Sequence, residues 1–237
     1  MCAFLCGGGV SVYQIIWYIQ IIFILITLGC VYLTCQSPVL KESKSRDAWI
    51  LMSVCLFVAE CGYGFYLQAV TLEGLSIARK LYLIAGIAAV ALWLAINASN
   101  SAWLRNAGAV FTLTSAAFIA SDKLDNYLFA SKTLSQNQYF YYIEETRLGL
   151  YYIGKVMLAI LLAYTVVVLL LKKTKEPSLC FGKAKVLLAM ATVLPVFALA
   201  MGDTEALRHY PIMAPVLAAS AVLIQFGLNI NNKVLQK

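Results

Sequence analysis

The sequence predicts an all-α membrane protein, a bundle of seven transmembrane helices, and three observations carry that expectation. Of its 237 residues 62% are hydrophobic and 12% charged, with a mean hydropathy of +0.82, whereas soluble domains hold about 25% charged and 45–50% apolar residues. Seven stretches reach the roughly 20 apolar residues that a helix needs to cross about 30 Å of hydrocarbon. Lysine and arginine are unevenly shared between alternate connections, as expected when positive charge fixes orientation. The same composition excludes disordered and collagen-like chains, and seven cysteines are too few for a disulfide-stapled fold. A net charge of +7 in such a chain reports orientation and gives no sign of nucleic acid.

The expected spans are 10–35, 48–72, 80–98, 103–121, 148–171, 183–201 and 209–230. Residues 1–9 carry no basic residue ahead of the first apolar run and no small-residue cleavage pattern, so they read as a short exported tail, with a Cys2–Cys6 bridge left open. Gln36-Ser37-Pro38 closes the first span, Lys172-Lys173 the fifth and Gly202-Asp203 the sixth. Arg105 near the start of the fourth can snorkel to the headgroups. Eleven of the 18 basic residues fall on the side that holds the C-terminus, among them Lys41, Lys44, Lys172, Lys173 and Lys233. Arg79, Lys80, Lys123 and Arg208 fall on the other, together with most acids. The expected topology is therefore N-terminus outside and C-terminus cytoplasmic.

Residues 122–147 are too long for an idle connection. Tyr127–Ser131 and Gln138–Ile143 have high strand propensity around Ser135-Gln136-Asn137, which predicts an exterior β-hairpin. An aromatic belt capping the fifth helix is the alternative.

Glu60 lies mid-span, roughly 18 Å along the helix from either end at 1.5 Å per residue. A carboxylate at that depth is costly to insert, so it should face the bundle interior. Tyr63 follows at i+3, and Gly64 at i+4 leaves room beside it. Lys155 lies about two turns into the fifth span beneath Tyr151 and Tyr152. Glu60, Tyr63, Tyr82, Tyr151 and Lys155 are the expected ligand-binding residues of a polar cavity open to the exterior; an interhelical hydrogen bond holding the bundle together is the plainer alternative for the two charges. His209, Trp17, Trp49, Trp93 and Trp103 read as headgroup-level residues, the remaining cysteines as packed thiols, and Pro195, Pro211 and Pro215 as kinks.

Absences narrow the class. No lysine stands between 212 and 230, where a retinal Schiff base would need one, and one histidine supports no His-rich metal site. H-E-x-x-H, G-x-S-x-G, Walker-type loops and paired broken helices are missing, so no catalytic motif, cofactor or metal is expected in these residues.

Thr71-Leu72-Glu73-Gly74-Leu75-Ser76-Ile77-Ala78-Arg79-Lys80-Leu81-Tyr82-Leu83-Ile84-Ala85-Gly86 resembles the short outer connection and third-helix entry of the seven-helix membrane sensor domain that precedes bacterial histidine kinases and some diguanylate cyclases. The stretch from Phe181 resembles that family's last two helices, through Lys183-Ala184-Lys185, Val193-Leu194-Pro195 and Pro215, and residues 122–147 stand where the family places an outer hairpin. Gly149-Leu150 departs from the Gly-Pro found there in the family, and Glu60 and Lys155 match no family motif. The resemblance implies a sensory input domain of the bacterial inner membrane. It would detect an exterior or membrane-dissolved small ligand and signal through helix seven to a cytoplasmic kinase-like output domain or partner protein, with homodimerisation open. The expectations from other classes are a small transporter with Glu60 as its protonatable site, and a membrane scaffold without a ligand.

Overall fold

Helix α1, Val12–Gln36, runs twenty-five residues without one charged side chain. In the computed structural model, residues 12–41, 43, 45–69, 71–97, 129–135, 138–143 and 213–235 are described, with fourteen helical positions between 103 and 194. Pro38, which lacks an N–H, ends α1 and opens a single turn, α2 (Pro38–Lys41), whose Leu40 is fully buried. The backbone then turns through Ser43 and Ser45, where the Ser45 N–H donates to Ser43 Oγ at 3.2 Å. Helix α3, Arg46–Gln68, follows with Asp47 in its first turn, the end at which the helix dipole favours a negative charge.

Helix α3 stops where Ala69 becomes extended, at φ −65° and ψ 124°. Two residues later Thr71 leads into α4, Leu72–Asn97. The Gly74 N–H donates to Thr71 Oγ1 at 3.1 Å and the Leu75 N–H to the Thr71 carbonyl at 3.0 Å, so one threonine satisfies two of the N–H groups that a helix start leaves open. This corrects two expected boundaries. The second span ends at 68 instead of 72, and the third begins at 72 instead of 80. The segment expected as an outer loop is the first two turns of α4, because a hydropathy window stops at Arg79-Lys80 while the helix-start signal lies upstream.

Helix α5, Met213–Leu235, closes the described structure. Pro215 is the third of its described residues. Among the described residues four helices are long and apolar enough to cross a membrane: Ile15–Gln36, Arg46–Gln68, Leu72–Trp93 and Met213–Ile230. The chain is therefore a helical membrane protein with at least these four spanning-length segments. Of the expected fourth, fifth and sixth spans, only the helical positions just mentioned are described. Trp103, Val110, Leu113, Val156, Ile160 and Met190 among them are exposed.

Two strands, β1 (Phe129–Ser135) and β2 (Gln138–Ile143), pair antiparallel. Phe129 stands opposite Ile143 and Thr133 opposite Tyr139, and the register shifts between Thr133 and Ser135. The first strand runs past Ser131, its expected end, to Ser135, the first of the residues read as the turn.

The core lies between α3 and α4, with α1 and α5 against it. Gly62 brings the two backbones together: a Cβ there would lie 2.7 Å from the Tyr82 nitrogen and 2.9 Å from its Cα. Close approach at a glycine is how helices gain dispersion contact inside a bilayer, where lipid chains are as apolar as leucine and no hydrophobic force acts between helices. Around that contact Trp49, Leu56, Tyr63, Tyr66, Tyr82, Leu83 and Trp93 are fully buried. Trp49 and Trp93 are thus core residues and do not anchor at the headgroups, as the sequence led us to expect.

Helix α1 is inverted relative to a soluble helix. Tyr18, Ile22, Leu25, Tyr32 and Leu33 are exposed, whereas Gln20, Thr27, Cys30 and Thr34 are buried. Gln20, Thr27 and Thr34 recur every seven residues, with Phe23 and Cys30 between them. That is the a/d seam of a left-handed helix pair with polar residues at the a positions. Polar inside and apolar outside is the arrangement that hydrocarbon, and not water, stabilises.

Candidate functional site

The seam on α1 meets α3 at two polar crossings, four turns of helix apart. At the first, Gln20 lies across Gly64, whose added Cβ would meet Gln20 Cγ at 3.1 Å and Ile24 Cδ1 at 3.5 Å. The missing side chain lets the Gln20 amide reach Glu60. Nε2 donates to Glu60 Oε1 at 2.8 Å and to the Glu60 carbonyl at 3.3 Å. Both residues are fully buried, and Glu60 Oε2 and Gln20 Oε1 have no hydrogen-bond partner. An amide bonded to a carboxyl at this depth anchors one helix to another, because lipid offers neither group an alternative.

At the second crossing Thr34 is saturated. Its hydroxyl donates to the Cys30 carbonyl at 2.8 Å, as a helical threonine commonly does. The oxygen then has two lone pairs left. One accepts from Ser53 Oγ of α3, 3.1 Å away, and the other from Gln225 Nε2 of α5, which also donates to the Cys30 carbonyl at 2.9 Å. One hydroxyl therefore joins three helices. Thr27, between the crossings, bonds only its own helix through the Phe23 and Ile24 carbonyls.

Of the expected ligand-binding residues, Glu60, Tyr63 and Tyr82 are fully buried. Tyr63 and Tyr82 meet across α3 and α4, with ring centroids 5.2 Å apart and tilted by 50°, and Tyr63 stacks on Tyr66 at 6.3 Å. Glu60 instead turns to α1. One helical face thus serves two interfaces, with the carboxyl on one side and the aromatic on the other. Tyr151 and Lys155 lie outside the described residues, as do His209, Cys2, Cys6 and Cys180. Cys30, Cys35, Cys55 and Cys61 are free thiols. No group of three metal-ligating side chains occurs among the described residues.

Sequence reasoning missed two parts of this arrangement. Arg79, expected in an outer loop, is fully buried within α4, three residues before Tyr82 and so on its face. Gln20 and Gln225 were passed over because an amide does not stop a hydropathy window, although Gln20, Thr27 and Thr34 at seven-residue spacing in an uncharged helix were a legible sign. The polar cavity expected beside Tyr151 and Lys155 falls outside the described residues, which line a different cavity. It is an apolar gap of about 10 Å3, room for one water-sized sphere, lined by Met52, Leu56, Ala89, Val90, Trp93, Ala191 and Ile224. A gap of that lining stays dry.

No protein-family model, curated protein or solved structure matches the chain.

Proposed function

We propose that the chain is a membrane-embedded sensory input domain of the bacterial inner membrane. It would be a seven-helix bundle with its N-terminus outside, its C-terminus cytoplasmic and the paired strands β1 and β2 on the exterior. The orientation is supported by the basic residues on the C-terminal side, an asymmetry that widens once Arg79 and Lys80 belong to α4. The sensory role is supported by the resemblance of residues 71–86 and of the stretch from 181 onward to the sensor family.

The observation that carries the reading is the pair of polar crossings on α1. Glu60 is bonded to α1 at one end of the seam, and Gln225 of α5 is bonded to α1 at the other. A ligand that binds at the Gln20–Glu60 crossing shifts α1, and α1 holds the last helix, from which an output domain or partner would read the change. Such a ligand acts only through its different affinity for the two packings.

The test compares output from the intact signalling protein in membranes for wild type, Glu60→Gln and Lys155→Ala, with insertion followed by site-specific labelling. Output should change by about fivefold or more, the usual lower range of coupling between sites, while insertion is retained. Unchanged output in both variants removes the reading. The second reading, a small transporter, draws on the partnerless Oε2 of Glu60. It requires pH-dependent substrate flux in proteoliposomes, which a sensor lacks.

A further inference from the structure

The crossing of α1 and α3 leaves two atoms without a donor, Glu60 Oε2 and Gln20 Oε1, and both are oxygens of fully buried side chains. The donor side is already committed, since Gln20 Nε2 serves both Glu60 Oε1 and the Glu60 carbonyl. With the Glu60 carboxyl ionised, what remains is a set of acceptors only, so a cation bound there takes the place of the carboxyl proton, and Glu60 is the one buried acid among the described residues. An anion finds nothing to bind there, and an apolar molecule leaves both oxygens desolvated and unbonded, which is unfavourable. A species that donates hydrogen bonds or coordinates oxygen, and that carries one positive charge to balance one carboxylate in a low-dielectric interior, satisfies both atoms. Size limits it further: Gln20 lies directly on Gly64, with Cγ 3.1 Å from where a Cβ would be, so the crossing is closely packed and takes only a small occupant.

We propose that the Gln20–Glu60 crossing binds a small monovalent cation, alkali or ammonium in type, between Glu60 Oε2 and Gln20 Oε1. Tyr63 and Tyr66 of the same helix stack on each other, and Tyr63 packs on Tyr82 of α4; the Glu60 carboxyl and the Gln20 amide carry the recognition. Bound there, the cation fastens α1 to α3 at the end of the seam remote from Gln225. This deepens the ligand site of the sensory reading and rests on it for its consequence, though the binding itself does not.

The full chain in nanodiscs is titrated at fixed pH and ionic strength with sodium, potassium or methylammonium chloride against bulky N-methylglucamine chloride. The unfolding temperature is read by tryptophan fluorescence, and sodium uptake by the site with radioactive sodium. A ligand that binds the folded state raises its unfolding temperature in a saturable way. The expected result is a saturable rise with sodium or potassium, or with methylammonium, the responding arm naming the cation as alkali or ammonium. Glu60→Gln, which keeps an amide to pair with Gln20, should lose the response, and Glu60→Asp, which keeps the charge, should retain it with a half-point shifted about tenfold or more. No saturable response in any arm, an equal response in Glu60→Gln, or a response to pH and to no cation each overturns the proposal. Cation binding without effect on output leaves the site standing and removes the sensory reading; output that changes with Glu60 while no cation binds does the reverse.

Discussion

Helices α1 and α3 are nearly equal in length and cross side by side, yet they are held by opposite means. In α3 half of the spanning window is buried, against 17% in α1. Helix α3 meets α4 through Gly62 against the Tyr82 backbone and through large aromatic side chains, with Trp49 and Trp93 inside. Helix α1 turns most of its isoleucine, leucine and tyrosine outward and touches its neighbours through Gln20 and Thr34. The α3–α4 pair gains from dispersion over a wide closely packed surface, which is lost only by separating the helices. Helix α1 gains from a few hydrogen bonds, each of which a ligand, a water or another side chain can replace. The difference separates a fixed frame from an element that is able to move.

That contrast can be broken first at Gly62. Gly62→Leu puts side-chain atoms where the α4 backbone already stands, so α3 and α4 must part. Overpacking of this kind costs roughly 3 kcal/mol or more. Reversible unfolding in mixed micelles should show a larger loss than a change at Gln225 or Leu25, and a loss no greater than that of an α1 variant would mean that α3 and α4 are not the frame. Next comes Gln225→Leu, which removes both bonds from α5 to α1. Interhelical hydrogen bonds in bilayers contribute about 0.6 kcal/mol on average and up to about 1.7, so the expected loss is about 1 kcal/mol, accompanied by a greater distance between spin labels on α1 and α5. An unchanged distance would show that Thr34 does not join the three helices. The smallest effect belongs to Leu25→Ala on the outward face of α1. Lipid fills the space that the side chain leaves, and a bilayer measurement should show a change within about 0.5 kcal/mol, the range of substitutions that touch no packed feature. A cost of 2 kcal/mol or more at Leu25 would reveal a packing partner on that face and would sharpen the contrast by removing α1 from it.

Much of the helical framework was legible because charge and proline mark ends cleanly. Gln36-Ser37-Pro38 closes α1, and Arg46 and Asp47 open α3, within two residues of expectation. The start of α4 was not, because hydropathy treats Arg79 as a boundary, while Thr71 capping the helix and Arg79 buried in the core make it an interior residue. The burial of Trp49 and Trp93 was equally hidden, since aromatic side chains near span ends suit a headgroup and a core alike until neighbours are in place. At the candidate site, Glu60 was found by its depth alone. Its partner Gln20 lies forty residues earlier, and no spacing rule connects two helices across that distance.

By itself, then, the sequence determined that the chain enters a membrane and which residues are too polar to face lipid, because insertion depends on the composition of each twenty-residue segment in isolation. Which polar residues meet was decided only by the tertiary structure. Gln20 reaches Glu60 because Gly64 leaves a gap, and Gln225 reaches Thr34 from nearly two hundred residues away because α5 packs on α1. Hydrogen bonds need atoms within about 3 Å and correct direction, and helices bring atoms that close only once they are packed.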